Sequence, residues 1–514
     1  MVTYITRRLL LMIPTLLGIT FLVFMLLAAS PGGIGAGLLL AGGGQMQSQS
    51  SIAIQKAKLE DRYGLNEPWP VQYVRWLGRI SPLKFGQRDL ISPRGETITR
   101  PRPVPEPPVW KWFSDSLPKA EPPSDAWINE RFAGKTADEK ADAFRTVENQ
   151  YVTARAEFIA AEATLRDSFV RYADATGIEG LLNKKREAVI PRIAKLSPDR
   201  ELAEFAEVEQ LGRKAIEAYG VAAQRRLEFI AAMGQQPYPA AGVPIIPGVV
   251  SLAWPDLGVA FSRGRPVIDL LAEALPVTIM LNLIAFPIIY MIAIPSGMLA
   301  ATRKGSFFDV GLGGLYLALF SIPAVLAGVL LQGFMANPDY VNAFPAAGLS
   351  SKAAETFRLL PGQDWTGTWH RGWLMDRIWH VVLPVACLVY AGFAILSKQT
   401  RAAMLENFNA DYVRTAKAKG VAPKDVVLRH VFRNSLLPLI TMFVTVFPLM
   451  LAGSVVIERI FTVPGMGYLL IEAIHLRDRE LILANTTMVA VVNLCALLLA
   501  DILYALADPR ITYK

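Results

Sequence analysis

Few residues in this 514-residue chain stand at spacings that could do chemistry. Gly134-Lys135-Thr136 has the ending of a phosphate-binding loop. That reading fails, because the spacing asks for a glycine at position 129, which is Asn129, and no apolar strand leads into it. His370, His380, His430 and His475 are too dispersed to form a metal site by spacing. Cys387 and Cys495 both fall inside apolar runs, away from any disulfide or metal pattern. No nucleophile, base and orienting group recur at a catalytic spacing. The expectation is no catalytic residue, no metal and no cofactor held by this chain.

Two stretches have a different chemistry, that of docking and of closure. In Asp411 to Pro438 and its approach, Lys398, Arg401, Arg414, Lys417, Lys419, Lys424, Arg429 and Arg433 outnumber Glu406, Asp411 and Asp425. Such an excess between apolar runs marks the cytoplasmic side of a membrane protein. Tyr412 to Lys419 has neither Gly nor Pro and predicts a two-turn helix, with Gly420 at a C-cap position and Pro423 starting the next helix. On charge alone the segment could equally bind anionic lipid. The second stretch is Glu458-Arg459 followed by Phe461 to Gly467, where Gly465 and Gly467 would permit tight turns.

The elements that position these stretches are membrane spans. A composition of 53% hydrophobic residues and a mean hydropathy of +0.34 is too apolar for an ordinary soluble protein and too charged for an all-membrane one. A net charge of +8 could suggest nucleic acid, but the basic residues cluster beside apolar spans and no nucleic-acid motif is present. Six runs are long enough to cross a bilayer: Leu9 to Ala29, Leu275 to Ala301, Val310 to Met335, Ile378 to Leu396, Ser435 to Ile457 and Leu481 to Leu506. Thr6-Arg7-Arg8 makes the first a retained, inward-anchored helix, and Arg303, Lys304, Arg510 and Lys514 put both termini and the 398–434 loop on the cytoplasmic side. Pro287, Pro295, Pro323, Pro384 and Pro448 predict kinks within spans. Asn282, Asn485 and Asn493 line a pathway or bind neighbouring helices, and Asp501 snorkels or meets a partner subunit.

Between the first two spans the chain changes character. PRPVPEPPVW and LPKAEPPSDAW favour extended segments, a spacer or a strap. Phe144, Val147, Tyr151, Ala154, Phe158, Ala161, Leu165, Ser168 and Tyr172 then recur in steps of three and four, a heptad-like seam. A middle helix over Leu181 to Ala194 and another from Ser197-Pro198 through Ala232 complete a predicted helical hairpin or small bundle outside the membrane. The predicted divisions are 1–30, a first span; 31–84, extracytoplasmic; 85–255, the Pro-rich and helical insertion; and 256–514, a five-span core with the loop 398–434.

YVRTAKAKG followed by LRHVFRNSLLP resembles the cytoplasmic loop of bacterial dipeptide and oligopeptide ABC-transporter permeases. The resemblance extends to YITRRLLLMIPTLLGITFLVFMLL, IPSGMLAATRKGSFFDV, FPAAGL, IWHVVLPV, VVIERIFTVPGMGYLLIEAI and LYALADPRI, several of them similar to the Yej-type oligopeptide subgroup. RYGLNEPWPVQYVRWLGRI is similar to a family block that normally runs on into the sequence resumed here at DLGVAFSRGRPV, so an insertion of roughly 170 residues splits it. The general importer motif's Glu-Ala-Ala falls on Arg414, Thr415 and Ala416, keeping only the second alanine, as the peptide-type subgroup does.

The resemblance implies an all-α membrane protein with six transmembrane helices of the type I ABC importer permease kind, plus the helical extracytoplasmic insertion. It implies a bacterial inner-membrane, multi-pass permease for peptides or oligopeptides that works by alternating access. Expected partners are a second permease subunit, two ATP-binding subunits that use ATP and Mg, and an extracytoplasmic solute-binding protein; no nucleic acid is expected. Tyr412, Arg414, Thr415, Ala416, Lys419, Gly420, Arg429, His430 and Arg433 would couple to the ATPase. Glu458, Arg459, Pro464, Gly465 and Gly467 would form an outer lid. Related permeases take nickel or other small solutes, and an ATP-independent secondary carrier is the reading from another class.

Overall fold

The computed structural model describes residues 2–29, 61–64, 67–93, 97–178, 180–183, 186, 188–356, 358–363, 368–436, 438–439 and 455–507. Contacts divide the chain into two units, residues 1–33 with 258–514, and residues 34–257. The first unit opens with α1, Val2–Ala29. Leu9, Leu10, Ile13, Leu22 and Leu26 are all exposed on it, a surface that water would not tolerate and lipid would solvate.

The second unit opens with α2 (Trp69–Ile80), β1 (Leu83–Phe85) and the hairpin of β2 (Leu90–Ile91) with β3 (Thr97–Ile98). Its body is an antiparallel helix pair. After α3 (Asp125–Phe132) come α4 (Ala137–Thr176) and α5 (Ala203–Gly234), and all nine seam positions of α4 are buried. Forty residues make α4 roughly 60 Å long. Aromatic rings zip the pair, with Tyr151 stacked on Phe229 at 5.4 Å and Phe144 the same distance from Phe229. At the other end Trp112 sits against Phe169, Tyr172 and Phe205. The Pro-rich stretch is a strap rather than a spacer. Phe113 lies over Gly212, where an added Cβ would meet the ring at 2.4 Å, and Pro118 lies over Gly220.

Thr136, rejected as part of a phosphate loop, starts α4 with a capping box. Its hydroxyl accepts from the Glu139 N–H, and the Glu139 carboxylate accepts from the Thr136 N–H at 2.9 Å. Thr136→Ala should cost about 1 kcal/mol. Amide hydrogen exchange across the first turn of α4 in the full chain should then rise several-fold, with α5 unchanged.

Two expected helix boundaries differ. Among the described residues of Leu181 to Ala194 there is a single helical turn, Ile190–Ile193, because Pro191 lacks an N–H and can only sit in a first turn. α5 begins at Ala203 rather than at Ser197: the Asp199 carboxylate accepts from the Glu201 N–H at 3.1 Å, its own N–H goes to the Tyr172 hydroxyl at 2.9 Å, and residues 200–202 form a turn and a bend.

The unit also contains strands that helical periodicity could not announce. β4 (Val243–Ile246) and β5 (Val250–Leu252) join β1 in an antiparallel sheet ordered β1-β5-β4, with Leu83 opposite Leu252. The insertion therefore leaves and returns on neighbouring strands. An ion pair of Arg62 with Asp256 at 3.2 Å ties its two flanks together.

The first unit resumes with α6 (Val267–Thr302), α7 (Phe307–Ser321), α8 (Ala324–Met335), α9 (Trp373–Phe408), α10 (Asp411–Ala418), α11 (Val455–Ile460), α12 (Met466–His475) and α13 (Arg479–Ala507). Among the described residues α1, α6, α9 and α13 are each long and apolar enough to cross a membrane. The third expected span is two helices, α7 and α8, which meet at 89°. Pro323 causes the break, holding Ile322 extended and starting α8 as its N-cap. Pro287, Pro295 and Pro384 stay inside α6 and α9 without ending them. The fifth expected span, Ser435 to Ile457, lies largely outside the described residues, as does Pro448. The core is the α6–α9 contact, where Leu281, Ala285 and Ile289 pack with Val381, Val385 and Val389, and Gly392 admits Ile289.

Candidate functional site

Both stretches singled out by their residue types are built into the first unit, and in each a few buried side chains fix the geometry. In the basic loop, α10 is a two-turn helix ended by Gly420, whose φ of +76° is the left-handed conformation that closes a helix. Val413 is buried against Ala301 at the end of α6, Met404 of α9, and Val426 and Val431 of the following turn, and Ala416 is buried on the same side of the helix. Ala416, expected on a docking surface, is therefore turned inward. One i,i+3 step of small or branched apolar residues seats the helix, leaving Asp411, Tyr412, Arg414, Thr415, Lys417 and Lys419 outward.

The outward face is pre-positioned by hydrogen bonds. The Tyr412 hydroxyl donates to Asn407 Oδ1 at 2.5 Å, and Asn407 Nδ2 donates to Ser435 Oγ at 3.1 Å, so one asparagine joins α9, α10 and the chain leading into the next expected span. Thr415 donates to the Asp411 carbonyl at 2.9 Å. Arg414 pairs with Asp411 at 3.5 Å and Arg429 with Asp425 at 3.3 Å, both exposed. Arg433 is exposed and His430 half-buried. Val426–Phe432, which carries Arg429 and His430, is wound as a π-helix, a widened turn that nothing in its apolar spacing announced.

Just before the loop, Arg401 of α9 grips Asp309 of α7 in a bidentate pair at 2.5 and 2.8 Å, and Asp309 also accepts from the Gly305 N–H at 3.0 Å. Asp309→Asn should remove about 2 kcal/mol, lowering the melting temperature of the detergent-solubilised protein. The exchanged pair Asp309→Arg with Arg401→Asp should recover part of it.

The second stretch is a tight turn held from inside by one carboxylate. Glu458 is 1% exposed; it accepts from the Tyr468 N–H at 2.9 Å and from the Thr278 hydroxyl of α6 at 3.0 Å. The same hydroxyl accepts from the Met466 N–H at 2.9 Å, and Asn485 of α13 donates to the Met466 carbonyl at 3.0 Å. From the other side Gln332 of α8 donates to the Ile460 carbonyl at 3.1 Å. Three helices, α6, α8 and α13, thus converge on one turn.

The glycines act by smallness rather than by turn geometry. Gly465 has an ordinary φ of −95°, but a Cβ there would meet the Glu458 carboxylate at 2.5 Å and Thr278 Oγ1 at 2.7 Å; one at Gly467 would meet Val455 Cα at 2.7 Å. Pro464 is exposed, and the Arg459 guanidinium lies over the Tyr468 ring at 5.3 Å.

Asp478, which sequence reasoning passed over, caps α13 by accepting from the Leu481 N–H and holds the Ser262 N–H and hydroxyl, each at 2.8 Å. Burial pushes its carboxyl above the usual range, while the Ser262 and Leu481 donors act in the opposite sense. Asp501 meets Arg8 of α1 at 3.0 Å, so its partner is in the same chain. Asn282 donates to the Thr278 carbonyl of its own helix at 2.7 Å. Among the described residues no group of His, Cys, Asp and Glu could hold a metal ion.

Apolar helices of spanning length, a turn pinned by two of them and by α8, and a charged helix seated on the ends of two define a polytopic membrane protein. Residues 293–513 match the family described as binding-protein-dependent transport system inner membrane component. The oligopeptide transport system permease protein AppB of Bacillus subtilis (strain 168) is 38% identical over 259 residues, 50% of this chain and 76% of that protein. The inner membrane ABC transporter permease protein YejB of Escherichia coli O157:H7 is 36% identical over 260 residues, 50% of this chain and 68% of that protein. The dipeptide transport system permease protein DppB of Bacillus subtilis (strain 168) is 35% identical over 244 residues, 47% of this chain and 70% of that protein.

The chain belongs to the peptide ABC-transporter permease family. It is a multi-pass inner-membrane permease subunit of an ABC importer.

Proposed function

We propose that this permease carries peptides or oligopeptides by alternating access, with force supplied by two ATP-binding subunits that hydrolyse ATP with Mg. A second permease subunit completes the pathway, and a solute-binding protein delivers cargo from outside. Both termini and the basic loop are cytoplasmic in this reading, and residues 85–255 lie on the far side, where α4 and α5 meet the binding protein or another envelope component.

The observation that carries the coupling role is the seating of α10. Val413 is fixed between the ends of α6 and α9 while Tyr412, Arg414, Thr415 and Lys419 face outward, so a push on the outer face is delivered to two spans at once. Gly420, Arg429, His430 and Arg433 border that face. The Glu458 turn, with Arg459, Pro464, Gly465 and Gly467, is the lid that opens when those spans move.

The test is uptake of labelled peptides of two to six residues into proteoliposomes holding the purified assembly. ATP-dependent accumulation that stops without the binding protein is the expected result. Uptake of nickel or another small solute in place of every peptide would reassign the cargo.

A further inference from the structure

The sheet of β1, β5 and β4 has two unlike faces. Residues opposite one another in an antiparallel ladder point to the same side, and successive residues to opposite sides. With Leu83 and Val243 both opposite Leu252, and Phe85 opposite Val250, the side chains of Leu83, Phe85, Leu252 and Val243 share one face. All four are exposed, Phe85 at 78% and Val243 at 68%. Trp254, two residues past β5, is 93% exposed. An uncovered apolar face with a protruding tryptophan marks an interaction surface.

The other face turns Lys84 and Ser251 towards a cleft of about 410 Å3. Arg62, Arg75, Arg79, Arg88, Arg100 and Arg102 line it with Lys84, against Asp61, Asp89 and Asp256. Several are already braced. Arg62 pairs with Asp256, Arg75 and Arg102 share Glu67 at 2.5 and 3.3 Å, and Arg88 donates to the Gly242 carbonyl at 3.0 Å. With Glu67 included, cations still outnumber carboxylates seven to four. Leu83, Phe85 and Trp254 reach the same cleft, so its cations and the apolar face meet along β1, the edge strand.

We propose that this cleft binds the phosphate head of an anionic phospholipid, with the acyl boundary seated against Trp254 and the apolar face of the sheet. A phosphate without a tail would use the arginines and leave Phe85 and Val243 in water. An apolar protein partner would cover that face and leave the cation excess unanswered. An anionic amphiphile answers both, by charge complementarity in the cleft and burial at its rim.

Asp89 adds a pH dependence. Burial, with Asp256 beside it, pushes its carboxyl up to about 6, against the opposing pull of Lys84, Arg62 and Arg100. Below that value it is neutral, the cleft loses a negative charge, and the lipid is held more tightly.

The experiment places the full-length protein in nanodiscs of phosphatidylcholine that contain either brominated phosphatidylglycerol or brominated phosphatidylcholine. Quenching of Trp254 is read as the difference from the Trp254→Phe variant. The proposal expects several-fold stronger quenching by brominated phosphatidylglycerol, stronger still at about pH 5 than at about pH 7, with Asp89→Asn abolishing that pH difference. Arg88→Glu with Arg100→Glu should weaken the phosphatidylglycerol preference by roughly fivefold per cation, with the gel-filtration profile unchanged. Equal quenching by both lipids would overturn the head-group assignment. No quenching by either would overturn the proposal and leave the face to a protein partner. Inorganic phosphate that shifts Trp254 emission in lipid-free detergent as strongly as phosphatidylglycerol would assign the cleft to free phosphate and overturn the lipid.

Discussion

Glu458→Ala is expected to abolish uptake and to lower stability by about 3 kcal/mol. The carboxylate is buried, and its removal strands the Tyr468 N–H and loosens the Thr278 hydroxyl, which also receives the Met466 N–H. No water replaces it without breaching the packed turn. Glu458→Gln keeps the shape and one acceptor oxygen but turns an NH2 group towards donors, so it should lose less stability and retain part of the uptake. Gly465→Leu should resemble Glu458→Ala, because its Cβ alone would sit 2.5 Å from that carboxylate. Melting temperature and peptide uptake measured on the same three variants check this. Near-normal uptake by Glu458→Ala would show that the turn does not govern the pathway.

The second large effect is separable from folding. Gly420→Trp should abolish transport while expression and melting change little. A Cβ added there meets no other side chain or backbone within 4 Å, so the new side chain starts into open space, and the backbone cost of φ +76° is about 1–2 kcal/mol. What the ring obstructs is whatever docks against α10. Gly420→Ala carries the same backbone strain without the bulk and should transport. Loss of uptake in both variants would trace the defect to backbone strain, and normal uptake in Gly420→Trp would remove the docking role. Ala416→Trp is a poorer probe, since Ala416 is buried against the chain itself and its replacement would unseat the helix.

These two sites differ in how far their residues announced them. A run without Gly or Pro, closed by Gly420, was enough to place α10, because helix ends are local chemistry. Its inward face was not legible, because Val413 is buried in part by Ala301, over a hundred positions earlier in the sequence. Gly465 and Gly467 stood out as glycines, yet their reason is the close approach of Glu458, Thr278 and Val455 rather than turn conformation. Thr278 looked like an ordinary polar residue in an apolar run until the turn folded onto it, whereas Asn485, singled out as lining a pathway or binding a neighbouring helix, holds the Met466 carbonyl.

The inserted unit shows the same division. The seam from Phe144 to Tyr172 is a repeat that one helix writes into its own sequence, and every position of it is buried. Strands of three or four residues such as Leu83–Phe85 and Val250–Leu252 are too short for a period, and they pair across the whole insertion. Family likeness supplied what local chemistry could not, the membership of the apolar runs and the basic loop in one permease.

The most direct test of that machine is co-purification. The tagged chain, extracted in mild detergent, should bring with it a second permease and two nucleotide-binding subunits, and the eluate should hydrolyse ATP. The Gly420→Trp chain, equally well expressed, should elute without the nucleotide-binding subunits. A lone chain or homo-oligomer that moves solute without ATP would contradict the account.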